Sequence, residues 1–328
     1  MKKILLIILS ILILGVTALL SFVSLGLPNV GPPEEISIEI TPQRVERGTY
    51  LAHHVTICMD CHSTRDWSKF SGPLVEGTLG KGGEEFNQTM GFPGSFTAKN
   101  LTPTNLGDWT DGELLRAIAS GVNKAGDALF PVMPHPNYGQ MDREDLYSII
   151  AYLRTLEPIE NEVAESNPDF PMTLILNTIP QAPQFSSIPD KTDKVAYGKY
   201  LFTASSCADC HTQQIQGAPL EGMELAGGFK FPMPSGTVWS ANITPDKGTG
   251  IGTWTEEMFV QRFKAYADSS YTPADVQQGD FNTVMPWLMY AGMEEADLQA
   301  IYAYLQTVKP INNKLVRFQP HEAVAASE

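Results

Sequence analysis

The chain has four cysteines in its 328 residues, and they fall into one spacing used twice: "CMDCH" at 58–62 and "CADCH" at 207–211. In each motif two thiols lie three apart and an imidazole follows directly. Any fold for this chain must present that trio on one short turn, in two places.

Both motifs sit inside a longer internal repeat. "RGTYLAHHVTICMDCHS" (47–63) matches "YGKYLFTASSCADCHT" (197–212) with one residue slipped. "NLTP" at 100–103 returns as "NITP" at 242–245, and "DWTDGELLRAI" as "TWTEEMFVQRF". "VMPHP" at 132 matches "VMPWL" at 284, and "IIAYLRTLEPI" at 149 matches "IYAYLQTVKPI" at 301. The repeat divides the chain into two domains, 42–158 and 191–311. Between them, 159–190 reads as a linker. Its ends are polar and proline-rich, but Phe170–Ile179 is apolar enough to predict a strap across both domains. Residues 312–328 show no periodicity and are expected to be a mobile tail.

Each domain reads as helical. Thr110 and Glu113 form a capping-box pattern, with Trp109 placed to staple onto Leu114; Trp254, Thr255 and Phe259 repeat the staple, with Met258 at the box position. Apolar residues at helical spacing define the last helix of each domain: Leu146, Ile149, Ile150, Leu153 and Leu156, then Leu298, Ile301, Tyr302, Leu305 and Val308. Gly48 and Gly198 lie on the helix before each cysteine pair, where a missing side chain lets a second helix cross closely. The fold class expected is all-α.

The N-terminus carries Lys2 and Lys3 ahead of an uncharged apolar run from 4 to 27. About 20 apolar residues span a bilayer. No small-x-small cleavage site is evident, so 1–27 reads as an uncleaved transmembrane anchor. The two lysines favour a cytoplasmic N-terminus and an exported remainder. Residues 28–41 then form a linker. A formal charge of −15 argues against nucleic acid as a partner.

Four chemistries compete for the cysteine motifs. Disulfides suit an exported protein, but cysteines three apart on a helix are poorly placed to pair with each other, and the histidine is left unexplained. A thioredoxin-like dithiol needs a βαβ setting that is not visible. Zinc needs four tetrahedral ligands, and adjacent Cys and His do not both reach one ion easily. Covalent haem attachment has Cys-x-x-Cys-His as its signature. Two thiols on one face of a turn add to the two vinyl groups of a porphyrin, and the next residue swings its imidazole beneath the ring. On this reading Cys58, Cys61, Cys207 and Cys210 bind two haem c groups covalently, and His62 and His211 ligate iron.

A thioether on the far side marks electron-carrying cytochromes. Met133 and Met285 correspond across the repeat, each in Val-Met-Pro, and are the axial ligands expected; Met90 and Met233 do not align. His135, two residues past Met133, has no counterpart and reads as a surface or haem-edge residue. His53 and His54 read as surface residues. The carbonyls of Pro73 and Pro219 are candidate acceptors for the second imidazole nitrogen.

The ordered set of CxxCH, Pro-Leu, Asn-Leu/Ile-Thr-Pro, Trp-Thr, Val-Met-Pro and Ala-Tyr-Leu resembles the cytochrome c subunits of membrane-bound alcohol and gluconate dehydrogenases. The resemblance covers both repeats and the apolar segment after "NPDFP". It implies two tandem class I cytochrome c domains with His/Met-ligated low-spin haems, facing the periplasm from a bacterial inner membrane. It implies electron transfer from a dehydrogenase towards the respiratory chain. Such subunits typically carry three haem domains where this chain has two motifs, which leaves an oxidase or a soluble cytochrome as other redox partners. The competing reading is an enzyme, a dihaem peroxidase. It needs one iron with an openable site, which two Val-Met-Pro loops argue against.

Overall fold

The computed structural model describes residues 1–321. It opens with α1 (Lys2–Leu25), which buries none of its residues. At 1.5 Å per residue it is about 36 Å long, enough to cross a hydrocarbon core of about 30 Å. By length and composition α1 is a candidate anchor or signal sequence.

In the first repeat, α2 (Pro42–Tyr50) leads through a wide helical turn, Leu51–Val55, into α3 (Cys58–Cys61). Strands β1 (Glu85–Phe86) and β2 (Gly94–Thr97) follow, then α4 (Pro103–Leu106), α5 (Asp111–Ser120), α6 (His135–Tyr138) and α7 (Arg143–Leu153). β3 (Asn167–Pro168) and α8 (Met172–Ile175) carry the chain onward. In the second repeat, α9 (Lys194–Ala204) precedes α10 (Cys207–His211). A hairpin of β4 (Gln214–Ile215) and β5 (Ala218–Pro219) and another of β6 (Lys230–Met233) and β7 (Gly236–Trp239) come next. Then α11 (Glu256–Lys264), α12 (Trp287–Tyr290), α13 (Glu295–Leu305) and β8 (Phe318–Pro320) complete the order.

Side-chain caps fix where the helices begin. Thr110 Oγ1 accepts from Glu113 N at 3.2 Å and Glu113 Oε2 accepts from Thr110 N at 2.7 Å, closing the expected box at α5. Thr255 Oγ1 accepts from Met258 N at 3.1 Å at α11, where no carboxylate answers. Leu146, Ile149, Ile150 and Leu153 of α7 and Leu298, Ile301 and Leu305 of α13 are buried, as their spacing predicts.

In each repeat the first helix crosses the last where glycine is required. A Cβ on Gly48 would overlap the Ser148 carbonyl of α7, and one on Gly198 the Ala300 carbonyl of α13. The two crossings are tied to each other reciprocally. Tyr50 donates to Asp297 at 2.6 Å, and Tyr200 donates to Asp145 at 2.6 Å, so each repeat's tyrosine reaches the other's last helix. Arg47 forks onto Asp145 with two 2.8 Å bonds. A loop clasp adds to this. Ser71 Oγ donates to the Met285 carbonyl at 2.7 Å and accepts from Trp287 N at 3.2 Å.

The all-α expectation needs amending. The fold is mostly helix and loop, but among the described residues three small antiparallel sheets are present, β1-β2-β3, β4-β5 and β6-β7-β8. β2 and β7 alternate buried and half-buried residues over only four positions, too short a pattern to stand out from loop. The third strands also change the boundaries. β3 pairs β2 with Pro168 opposite Gly94, and β8 pairs β7 with Pro320 opposite Gly236. Each repeat thus runs on to Pro168 and Pro320. Residues 312–320, expected to be part of a mobile tail, lie against the second repeat; the expectation for 322–328 falls outside the described residues.

The strap also differs from expectation. The hydrogen bonds of 167–186 run to the first repeat and to α1: Asp169 N to the Pro93 carbonyl, Gln184 N to the Gly139 carbonyl, Asn177 Nδ2 to the Val23 carbonyl. Phe170 remains 80% exposed, so the apolar run is not a buried bridge.

His53 and His54 are half-buried and bonded, not free surface residues. His53 Nε2 meets the Tyr152 hydroxyl at 2.6 Å, and His54 Nδ1 meets the Met289 carbonyl of the second repeat at 2.8 Å. Burial, with His54 beside it, holds His53 down to about 4. An unfolded histidine titrates near 6.5. As pH falls from about 6.5 towards 4, the unfolded chain takes up a proton that the folded chain refuses, and stability drops. Denaturant midpoints at pH 7.5 and 5 should therefore differ less in His53→Gln than in the parent chain.

Candidate functional site

One cavity of about 2250 Å³ runs through both repeats. A site for a single drug-sized ligand is about 300–1,000 Å³, so this space suits two large groups. Its walls include Cys58, Cys61 and His62 from one repeat and Cys207, Cys210 and His211 from the other. Met133 and Met285 also line it.

The chain enters each cysteine turn through a left-handed residue. Ile57 has φ 47° and Ser206 has φ 53°, each directly before its first cysteine. Left-handed geometry costs an L-residue about 1–2 kcal/mol, and such strain concentrates at functional sites. Ser206→Gly should raise stability by about 1 kcal/mol, read as a higher denaturant midpoint at unchanged slope. The buried Ser206 hydroxyl has no hydrogen-bond partner among the described residues and gives up little.

The imidazoles are held identically. His62 Nδ1 lies 2.6 Å from the Lys99 carbonyl, and His211 Nδ1 lies 2.8 Å from the Ala241 carbonyl. Those acceptors are the residues just before the repeated Asn-Leu/Ile-Thr-Pro. They replace Pro73 and Pro219; the Pro73 carbonyl accepts from Asp66 N, and Pro219 belongs to β5. With Nδ1–H donating to a carbonyl, Nε2 keeps a free lone pair, the tautomer a metal-ligating histidine needs. Burial holds both imidazoles below the ordinary histidine range, which keeps them neutral at pH 7.

All four cysteines are free of disulfides. Burial pushes the Cys207 and Cys210 thiols up to about 12 and raises Cys58 and Cys61 as well, so they are thiols and not thiolates. Among the described residues no three His, Cys, Asp or Glu side chains gather around a metal position. Each pair of unpaired thiols is free to form thioethers to a macrocycle lying in the cavity.

The methionine loops are also matched. His135 N donates to the Met133 carbonyl at 2.7 Å, and Trp287 N to the Met285 carbonyl at 2.8 Å. His135 itself is buried, 1% exposed, over Gly121, so it is not a surface residue. Met90 lines the cavity while Met233 does not.

Two wall residues carry a signal the motif reading passed over. Tyr138 donates to the Thr56 carbonyl at 2.9 Å and Tyr290 to the Ser205 carbonyl at 2.8 Å. Each is the fifth residue after its methionine, and each ties the methionine side of the cavity to the chain entering the cysteine turn.

Residues 195–309 match the cytochrome c family. Relatives that match about four fifths of the chain also carry cytochrome c in their names. It is 24% identical over 282 residues to the cytochrome c subunit of a quinone alcohol dehydrogenase from Gluconacetobacter polyoxogenes, covering 81% of this chain and 56% of that one. It is 26% identical over 281 residues to the gluconate 2-dehydrogenase cytochrome c subunit of Pantoea cypripedii, covering 80% and 59%. It is 26% identical over 267 residues to a diheme cytochrome c-type protein of Cereibacter sphaeroides, covering 77% and 82%. The chain spans a little over half the length of the two dehydrogenase subunits. Cytochrome c implies covalently bound haem c, and the thiols, neutral imidazoles and thioethers along this cavity fit that group.

Proposed function

We propose that this chain is a dihaem electron carrier built from two cytochrome c domains, 42–168 and 191–320. Cys58, Cys61, His62 and Met133 hold one haem, and Cys207, Cys210, His211 and Met285 the other. Bound there, haem supplies one-electron exchange at iron. The observation that carries the reading is the single cavity lined by both sets, with each Nδ1 fixed to an equivalent carbonyl.

The chain's own residues do the rest. Lys99 and Ala241 orient the imidazoles, Tyr138 and Tyr290 brace the methionine sides, and the Tyr50–Asp297 and Tyr200–Asp145 bonds fix the two domains against each other. α1 anchors the protein in a bacterial inner membrane, with both domains in the periplasm. The donor is a dehydrogenase, as the relatives' names suggest, reached on the periplasmic side, and the acceptor lies in the respiratory chain.

The test is the spin state of the holoprotein purified in detergent. Both haems should be low-spin and six-coordinate when oxidised and when reduced, and peroxide should not turn over. A high-spin fraction with peroxide turnover would make the protein a peroxidase instead.

A further inference from the structure

The two ends of the cavity carry opposite charge at equivalent positions. "PIENEVAESNP" (158–168) aligns with "PINNKLVRFQP" (310–320). The alignment holds in space. Asn161 Nδ2 donates to the Lys81 carbonyl as Asn313 Nδ2 donates to the Ala226 carbonyl, and Pro168 and Pro320 take the same register. Glu162 therefore stands where the second repeat has Lys314, and Glu165 where it has Arg317. A third reversal comes from strand register: Glu85 is opposite Thr97 as Lys230 is opposite Trp239.

Glu160, Glu162 and Glu165 line the first end of the cavity, and Lys230, Lys314 and Arg317 the second. Asp60 and Glu84 add to the first end, where Arg65 and Lys99 offset them; Arg262 adds to the second, where Asp209 offsets it. The first lining is thus net −3 and the second net +3. Among the described residues neither Arg262 nor Arg317 has a carboxylate partner, so their charge is not cancelled locally.

Ferric haem carries one more positive charge than ferrous haem. Negative neighbours stabilise the oxidised form and positive neighbours the reduced form, and only charges within about a Debye length, 8–10 Å, count fully. We infer that this polarity sets the direction of electron flow: the N-terminal domain receives the electron and the C-terminal domain delivers it. With haem held at both sites, the internal step would move one electron from the site at His62 to the site at His211, a ferrous-to-ferric change at the first balanced by a ferric-to-ferrous change at the second, with no proton or bond changing place. The inference rests on the two-haem reading above.

The experiment is a spectroelectrochemical titration of full-length holoprotein at low ionic strength, after its haem-to-protein ratio has been measured. Two one-electron waves are expected, separated by at least tenfold in equilibrium constant, which is 59 mV. Arg262→Gln with Arg317→Gln should lower the upper wave alone. Glu162→Gln with Glu165→Gln should raise the lower wave alone. Raising salt should narrow the gap. If the arginine variant moves the lower wave, or neither variant moves a wave, the direction is overturned while two haems stand. A ratio of one haem per chain would overturn the two-haem reading, and the direction with it.

Discussion

Gly198→Ala is expected to destabilise the protein by about 3 kcal/mol or more, and Gly48→Ala by a similar amount. The added methyl in each case overlaps a backbone carbonyl oxygen of the facing helix, Ala300 or Ser148. A flexible side chain could swing away; a carbonyl inside a helix moves only with the helix. Overpacking generally costs about 1–3 kcal/mol, and an obstacle of backbone places these substitutions at the top of that range or beyond. Because whole domains are stable by only about 5–15 kcal/mol, either change should be plain in a denaturant titration. The damage should also pass between repeats. α9 and α13 carry Tyr200 and Asp297, which bond to the first repeat, so loosening the second crossing loosens the contact. A midpoint within error of the parent chain would mean that the helices do not cross where these glycines lie.

The second large effect is at the methionines. Met133→Ala and Met285→Ala should each remove about half of the near-infrared sulfur–iron band and lower one of the two reduction potentials, because thioether ligation raises the potential of cytochrome haems. The double variant should lose the band entirely. Neither methionine is deep in packing; both are half-buried on the cavity wall. The protein should therefore stay folded while its spectrum changes. A single variant with a full-strength band would show that its iron takes a different sixth ligand. Met90 would then be the next candidate in the first repeat, since it also faces the cavity.

What could be read from the sequence was what the side chains announce. The doubled Cys-x-x-Cys-His, the Val-Met-Pro pairs, the capping box at Thr110 and the two crossing glycines all name themselves by residue type and spacing. Backbone groups do not. The acceptors for the imidazole Nδ1 atoms are carbonyls of Lys99 and Ala241, two residues that share no side-chain chemistry, and only the Asn-Leu/Ile-Thr-Pro that follows them marks the place. The packing of His53, His54 and His135 is not legible because a lone histidine without a counterpart in the repeat gives no periodic signal. The half-burial of the first two and the full burial of His135 come from Tyr152, the second repeat and Gly121, contacts made only once the chain has folded. The strands escaped notice because two to four residues cannot establish an alternation. The repeat past Pro158 and Pro310 is hidden by its own charge changes, one glutamate facing the neutral Asn312 and two facing Lys314 and Arg317, which erase the likeness that strand register restores.

The central claim is that each repeat holds its own porphyrin through two thioether bonds. Intact mass of the denatured protein, made in a host that matures c-type cytochromes, tests it most directly. The account predicts the polypeptide mass plus two haem groups, falling to one in Cys207→Ser with Cys210→Ser. A mass equal to the bare polypeptide, or haem lost on denaturation, would contradict it.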